Sequence, residues 1–171
     1  MGQWVKWRVV YEDDTQIVMT VRAEKKEGDH TWFDIQQVSE EYGNLDFRML
    51  GTPGTLDNPT GYIKEIEGSW DSGSGTAEDF KKAWLEESAA EQIMTLMAQE
   101  TFSTTVQDDA PVVVPAGTFH GCYKTSASVP MESGDIDVFV WSHPEVPFSG
   151  IVLGTDEAGT YRMEVLDFGR E

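Results

Sequence analysis

Cysteine is nearly absent from this chain: with a single one, Cys122, no intrachain disulfide can form, and the core must hold without staples. Positive charge is scarce too. Twelve Lys and Arg stand against 31 Asp and Glu, a formal net charge of −19. Such a surface repels phosphate backbones and anionic lipid headgroups, so the reading is no nucleic-acid partner and no electrostatic membrane docking. Cations and basic partners are favoured, although an acidic surface also serves plain solubility. No apolar run approaches the ~18 residues that span a bilayer, so no membrane span is expected. The three histidines, His30, His120 and His143, show no His-x-x-x-His spacing, and no Cys-x-x-Cys or twelve-residue calcium loop occurs. The expectation is therefore no metal, no cofactor and no catalytic motif. No basic-then-apolar leader precedes Gln3. Removal of a leader or lipid anchor would leave this same sequence, so the compartment is periplasm or cell envelope if one was removed and otherwise open.

What is present is enough for a core. At 171 residues, with 39% apolar residues and six tryptophans, the chain reads as one folded domain over residues 1–171. Thr76 to Glu100 reads as its one long helix, with Thr76 and Asp79 as a capping-box-like start. Phe80, Ala83, Trp84, Ala90, Ile93, Met94 and Met97 fall on one broad apolar face, leaving a narrow polar strip.

Strands are predicted on both sides of it. Gln3 to Tyr11 alternates, with Val5, Trp7, Val9 and Tyr11 on one face and Lys6 and Arg8 on the other. Thr15 to Glu24, His30 to Val38 and Leu45 to Met49 follow across short polar turns, an antiparallel meander with Trp32 or Phe33 and Ile35 turned inward. Tyr62 to Glu67 ends a first strand set over 3–67, and Ser69 to Gly75 has the composition of a mobile link. A second set over 102–168 comprises Phe102 to Gln107, Val112 to Val114, Thr118 to Val129, Asp135 to Ser142, Gly150 to Gly154 and Thr160 to Phe168. The fold class expected is α+β, mostly β: a curved antiparallel sheet of about ten strands, an incomplete barrel wrapped around one long helix.

Few residues invite chemistry. His120 and Cys122, two apart on a predicted strand, would share a face, but neighbours on one strand rarely aim at each other as base and nucleophile. Asp135 with Asp137, and Asp108 with Asp109, offer oxygen ligands without a binding loop. Glu86 and Glu87 lie at the margin of the helix's apolar arc, where the competing readings are a perturbed acid and a rim carboxylate solvated beside Lys82. Phe80, Trp84, Met94 and Met97, with Met19 and Met49 from the sheet, are the candidate lining of an apolar ligand cavity, because methionine conforms to varied partners. That the same residues fill a dry core is the plainer reading, and the sequence favours it over a cavity.

Two stretches, Val112-Val113-Val114-Pro115-Ala116-Gly117-Thr118-Phe119 and Val140-Trp141-Ser142-His143-Pro144-Glu145-Val146-Pro147-Phe148, carry a resemblance. With the opening Gly2-Gln3-Trp4-Val5-Lys6-Trp7 and a closing strand like Glu164 to Gly169, they resemble a pattern in bacterial envelope proteins. Those proteins are similar in fold to the lipoprotein-localisation factors. His143 departs from the pattern by standing between serine and proline. The resemblance implies a half-barrel able to hold acyl chains, and its motifs are structural. The expected function is a non-enzymatic envelope domain binding a lipid or other hydrophobic molecule. A structural or adaptor domain that meets a protein partner is the alternative, and an enzyme with an unrecognised site is the third reading.

Overall fold

The computed structural model describes residues 2–41, 43–51, 65–70, 73–74, 104–129 and 136–170. They form thirteen strands: β1 (Gln3–Tyr11), β2 (Gln16–Glu27), β3 (His30–Val38), β4 (Leu45–Gly51), β5 (Glu65–Trp70), β6 (Gly73–Ser74), β7 (Thr104–Gln107), β8 (Val112–Val114), β9 (Gly117–Phe119), β10 (Tyr123–Val129), β11 (Ile136–Ser142), β12 (Ile151–Asp156) and β13 (Tyr161–Arg170). Eleven join one sheet in the order β6-β5-β4-β3-β2-β1-β13-β12-β11-β10-β7, and β8 pairs with β9 as a separate hairpin. Every pairing is antiparallel. Two wings, one from each half of the chain, thus meet along the seam between β1 and β13.

Alternation decides which face each side chain takes. Val5, Trp7 and Val9 are buried and lie opposite Val21, Met19 and Ile17 on β2. Phe33 and Ile35 continue that face onto β3, Phe47 and Met49 onto β4, and Met163 and Val165 onto β13. Trp32 turns to the other face. Turn chemistry fixes the register: Asp13 accepts the Thr15 amide at 3.0 Å and Asp14 takes a positive φ of 66° between β1 and β2. Asp156 binds the Thr160 amide at 2.7 Å to close the β12–β13 turn.

The expected α+β class with one long helix is corrected. The described residues are all β, they contain no helix, and the sheet is open, with β6 and β7 at its two edges. The segment 76–100 lies outside the described residues. Among the described residues, short pieces cover the sheet's apolar face: Val112, Val114 and Phe119 of the β8–β9 hairpin and Val146 of the β11–β12 turn all belong to the buried core. Ala116 donates its amide to Val165 O at 3.2 Å, tying the hairpin to β13. The Trp7 indole donates to Ile151 O at 3.0 Å inside that core, and Phe148 meets Phe33 edge-on at 5.8 Å. The count of about ten strands is corrected as well. The run read as one strand from Thr118 to Val129 breaks where Gly121 adopts a φ of 71°, and the stretch read as a link from Ser69 carries the end of β5 and β6.

Candidate functional site

A row of registered neighbours crosses the sheet on the face that carries Arg8 and Glu164, and within it Leu153 and Trp141 pack half-buried against the core cluster. Val38, Val18, Arg8, Glu164, Leu153, Trp141, Lys124 and Val106 are successive cross-strand partners through β3, β2, β1, β13, β12, β11, β10 and β7. Charge sits in the middle of the row. Glu164 is buried, its Oε1 accepting both Arg8 Nε and Nη2 and its Oε2 accepting Arg162 Nε at 3.0 Å. Burial alone would push this carboxyl up, but the hydrogen bonds and charges of Arg8 and Arg162 outweigh it and hold it below the usual carboxylate range. Both ends of the row are apolar and exposed, Val38 at 58% and Val106 at 52%.

The Val106 end builds a distinct constellation. Phe139 and Trp141, two apart on β11, leave the same face, with ring centres 6.3 Å apart and planes inclined at 50°. Lys124 lies opposite Trp141 in the β10–β11 register. Its Nζ stands 4.5 Å from the Phe139 ring centre and 4.8 Å from that of Trp141, within cation–π range of both. The indole is held from its other side, because Nε1 donates to Asp108 Oδ2 at 2.9 Å while Asp108 Oδ1 accepts the Ala110 amide at 3.0 Å. These two donors, with the Lys124 charge, keep the Asp108 carboxyl below its usual range against a smaller opposing effect of burial. The backbone fixes Asp108 in turn, its amide donating to Cys122 O at 2.8 Å. Phe139, Trp141 and Lys124 are all half-buried, so the rings keep accessible surface.

A second tryptophan repeats the arrangement on the other wing. Trp32 donates Nε1 to Glu27 Oε2 at 3.0 Å and has Lys25 Nζ 5.9 Å and the Arg48 guanidinium 5.0 Å from its ring centre. Trp32, however, is only 5% exposed. Its ring is sealed, whereas Phe139 and Trp141 are half-buried and keep part of their surface accessible, Trp141 packing against the core with the rest.

The residues singled out from sequence fare differently. Met49 is closed into the core at 1% exposure, and Met19 packs half-buried against it. Phe80, Trp84, Met94 and Met97, together with Lys82, Glu86, Glu87 and Asp135, lie outside the described residues. His120 and Cys122 do not share a strand face: both fall in the bend between β9 and β10, where His120 is exposed and Cys122 fully buried. Burial first, and the Asp108 charge second, push the Cys122 thiol above its usual range, which disfavours the thiolate a nucleophile needs. His143 is built into a turn, its Nδ1 accepting the Glu145 amide at 3.3 Å and its ring meeting Phe119 at 5.4 Å. Asp108 is committed to Trp141 and Ala110, and Asp137 is exposed on β11. Among the described residues no three metal-capable side chains converge, and no helix is long and apolar enough to cross a membrane.

Sequence reasoning passed over Phe139, Trp141 and Lys124 as a group. The signal was there in charge spacing, since Lys124 is the only Lys or Arg between Lys82 and Arg162. A lone base in so acidic a stretch, opposite an aromatic-x-aromatic strand, marks a placed cation. Comparison with family models, with curated proteins and with solved structures finds no match for this chain.

Proposed function

We propose that this is a non-enzymatic interaction domain that docks a protein partner on the face of the β7, β10, β11 and β12 wing that carries Val106, Lys124 and Phe139. The observation that carries the reading is the half-exposed Phe139–Trp141 pair, with its indole fixed by Asp108. Rigid aromatic anchors held at their polar edge suit recognition, because they offer large apolar area without ordering cost on binding. The adaptor reading is preferred to carriage of a lipid or other apolar molecule because Met49, one of the two described residues of the suggested lining, is packed among Phe33, Phe47 and other core side chains.

A photo-crosslinking residue at Val106, on this face, tests the reading against one at Val113, the 65%-exposed valine of the hairpin. Capture of one protein from Val106 alone, lost on Trp141→Ala, is the expected result. Equal capture from both positions, or none, overturns it. Native mass spectrometry of the purified protein tests the rival: a stoichiometric apolar mass, released by solvent, would replace the adaptor with a carrier.

A further inference from the structure

We propose that the Phe139–Trp141 pair is a receptor for an arginine or lysine side chain of a basic partner segment, and that Lys124 occupies it as a stand-in while the protein is free. The inference rests on the interaction reading above and names the chemistry of the partner. Four observations lead to it. Lys124 Nζ already lies within 5 Å of both ring centres, so the pair is shaped and oriented to hold a cation. The stand-in is removable: a lysine stem is flexible, and Lys124 is half-exposed. Asp108 is beside the site with each oxygen engaged by one donor, and a carboxylate oxygen accepts two, so it retains capacity for an incoming guanidinium. Finally, a protein of net charge −19 whose stretch between Lys82 and Arg162 contains no other Lys or Arg is complementary to a basic segment and repels an acidic one.

Arginine fits better than lysine. Its guanidinium can stack flat on the indole while its N–H groups reach the Asp108 carboxylate, a double contact that the point charge of an ammonium does not make. Docking then exchanges one cation–π contact for another, and the partner's gain over Lys124 comes from stacking, from the carboxylate and from long-range attraction to the acidic surface.

The test uses a blocked tetra-arginine peptide as probe, with tetra-lysine and tetra-glutamate for comparison, on the full chain. Binding is read by calorimetry and by the shift of the Trp141 indole N–H resonance. Lys124→Ala vacates the rings and should tighten tetra-arginine binding about fivefold, whereas Trp141→Leu and Phe139→Leu should each weaken it about fivefold to tenfold, in line with single cation–π contacts. Lys6→Ala removes the same charge from the same face, opposite Thr20 and Asp167 and away from the rings, and should tighten binding far less. Equal effects of Lys124→Ala and Lys6→Ala, or an unshifted Trp141 resonance, would mean attraction to surface charge alone and would overturn the proposal. Phe139→Leu keeps the test decisive if Trp141→Leu fails to fold. Absence of peptide binding with crosslinking from Val106 intact overturns this proposal and leaves the interaction reading standing; loss of both removes the reading itself.

Discussion

Arg8 and Glu164 face each other across the seam between β1 and β13, and one carboxylate oxygen takes both the Nε and Nη2 hydrogens of the guanidinium. With Arg162 on the other oxygen, Glu164 is satisfied at a position where its side chain is only 8% exposed. Both arginines remain substantially exposed, at 35% and 48%, so solvent screens the network.

Glu164→Gln should cost about 1–2 kcal/mol near neutral pH, less than a fully buried pair because of that screening. The pH dependence has a definite sign. Glu164 is held below the usual carboxylate range when folded, so its contribution is complete above the unfolded carboxyl's pKa and is lost as pH falls through the lower folded one. Urea titrations of both proteins should therefore differ at neutral pH and converge in acid. A gap that persists undiminished in acid would contradict the assignment.

Gly150 and Gly159 separate two costs that are often confounded. Both have a positive φ, 72° and 73°, but a Cβ on Gly150 would stand 3.2 Å from His143 O, while at Gly159 nothing lies within 4 Å. Gly159→Ala should cost about 1 kcal/mol from backbone strain alone, and Gly150→Ala about 2–3 kcal/mol, since His143 O also accepts the Val146 amide and is not free to yield. Thermal melts of the two variants test the order.

The Tyr161 hydroxyl is buried without a hydrogen-bond partner among the described residues, and burial with the nearby Asp156 charge drives its pKa far up. Tyr161→Phe removes an unsatisfied polar atom and keeps the ring. Stability should stay level or rise by up to about 1 kcal/mol in chemical denaturation. A loss of that size would show that the hydroxyl has a partner.

Cys122 is fully buried and its thiol is pushed up. A chromogenic disulfide reagent should leave it unmodified in native buffer and react fully in denaturant, with the modification rate following the unfolding equilibrium. Rapid reaction of the native protein would indicate local opening around the bend that follows β9.

Much of the sheet was legible because period-2 alternation is a local signal. β1, β3 and β8 run over the predicted residues, and Val5, Trp7 and Val9 point inward as alternation requires. The cover of the core was not legible. Val112, Val114 and Val146 sit in segments too short to show any period, while the strong helical period of 76–100 drew the whole architecture towards itself. Gly121 hid for a similar reason, since one glycine within an apolar run does not announce that it will take a positive φ. The receptor pair depends on register: Lys124 meets Trp141 only because β10 and β11 pair in one alignment, and a slip by one residue would send the lysine to the opposite face.

The seam between β1 and β13 sets Gln3 opposite Arg170 and Tyr11 opposite Tyr161, which makes the two wings neighbours through strands that are the most distant in the chain. Folding order follows from that. Each wing can zip locally through hairpins, but joining them requires closing a loop of nearly the whole chain, the slowest kind of contact to form. On the ribosome, β1 emerges well before β13 and waits with one edge bare until β13 has been synthesised. For that interval the charges of Lys6 and Arg8 along β1 would discourage premature pairing with other nascent chains.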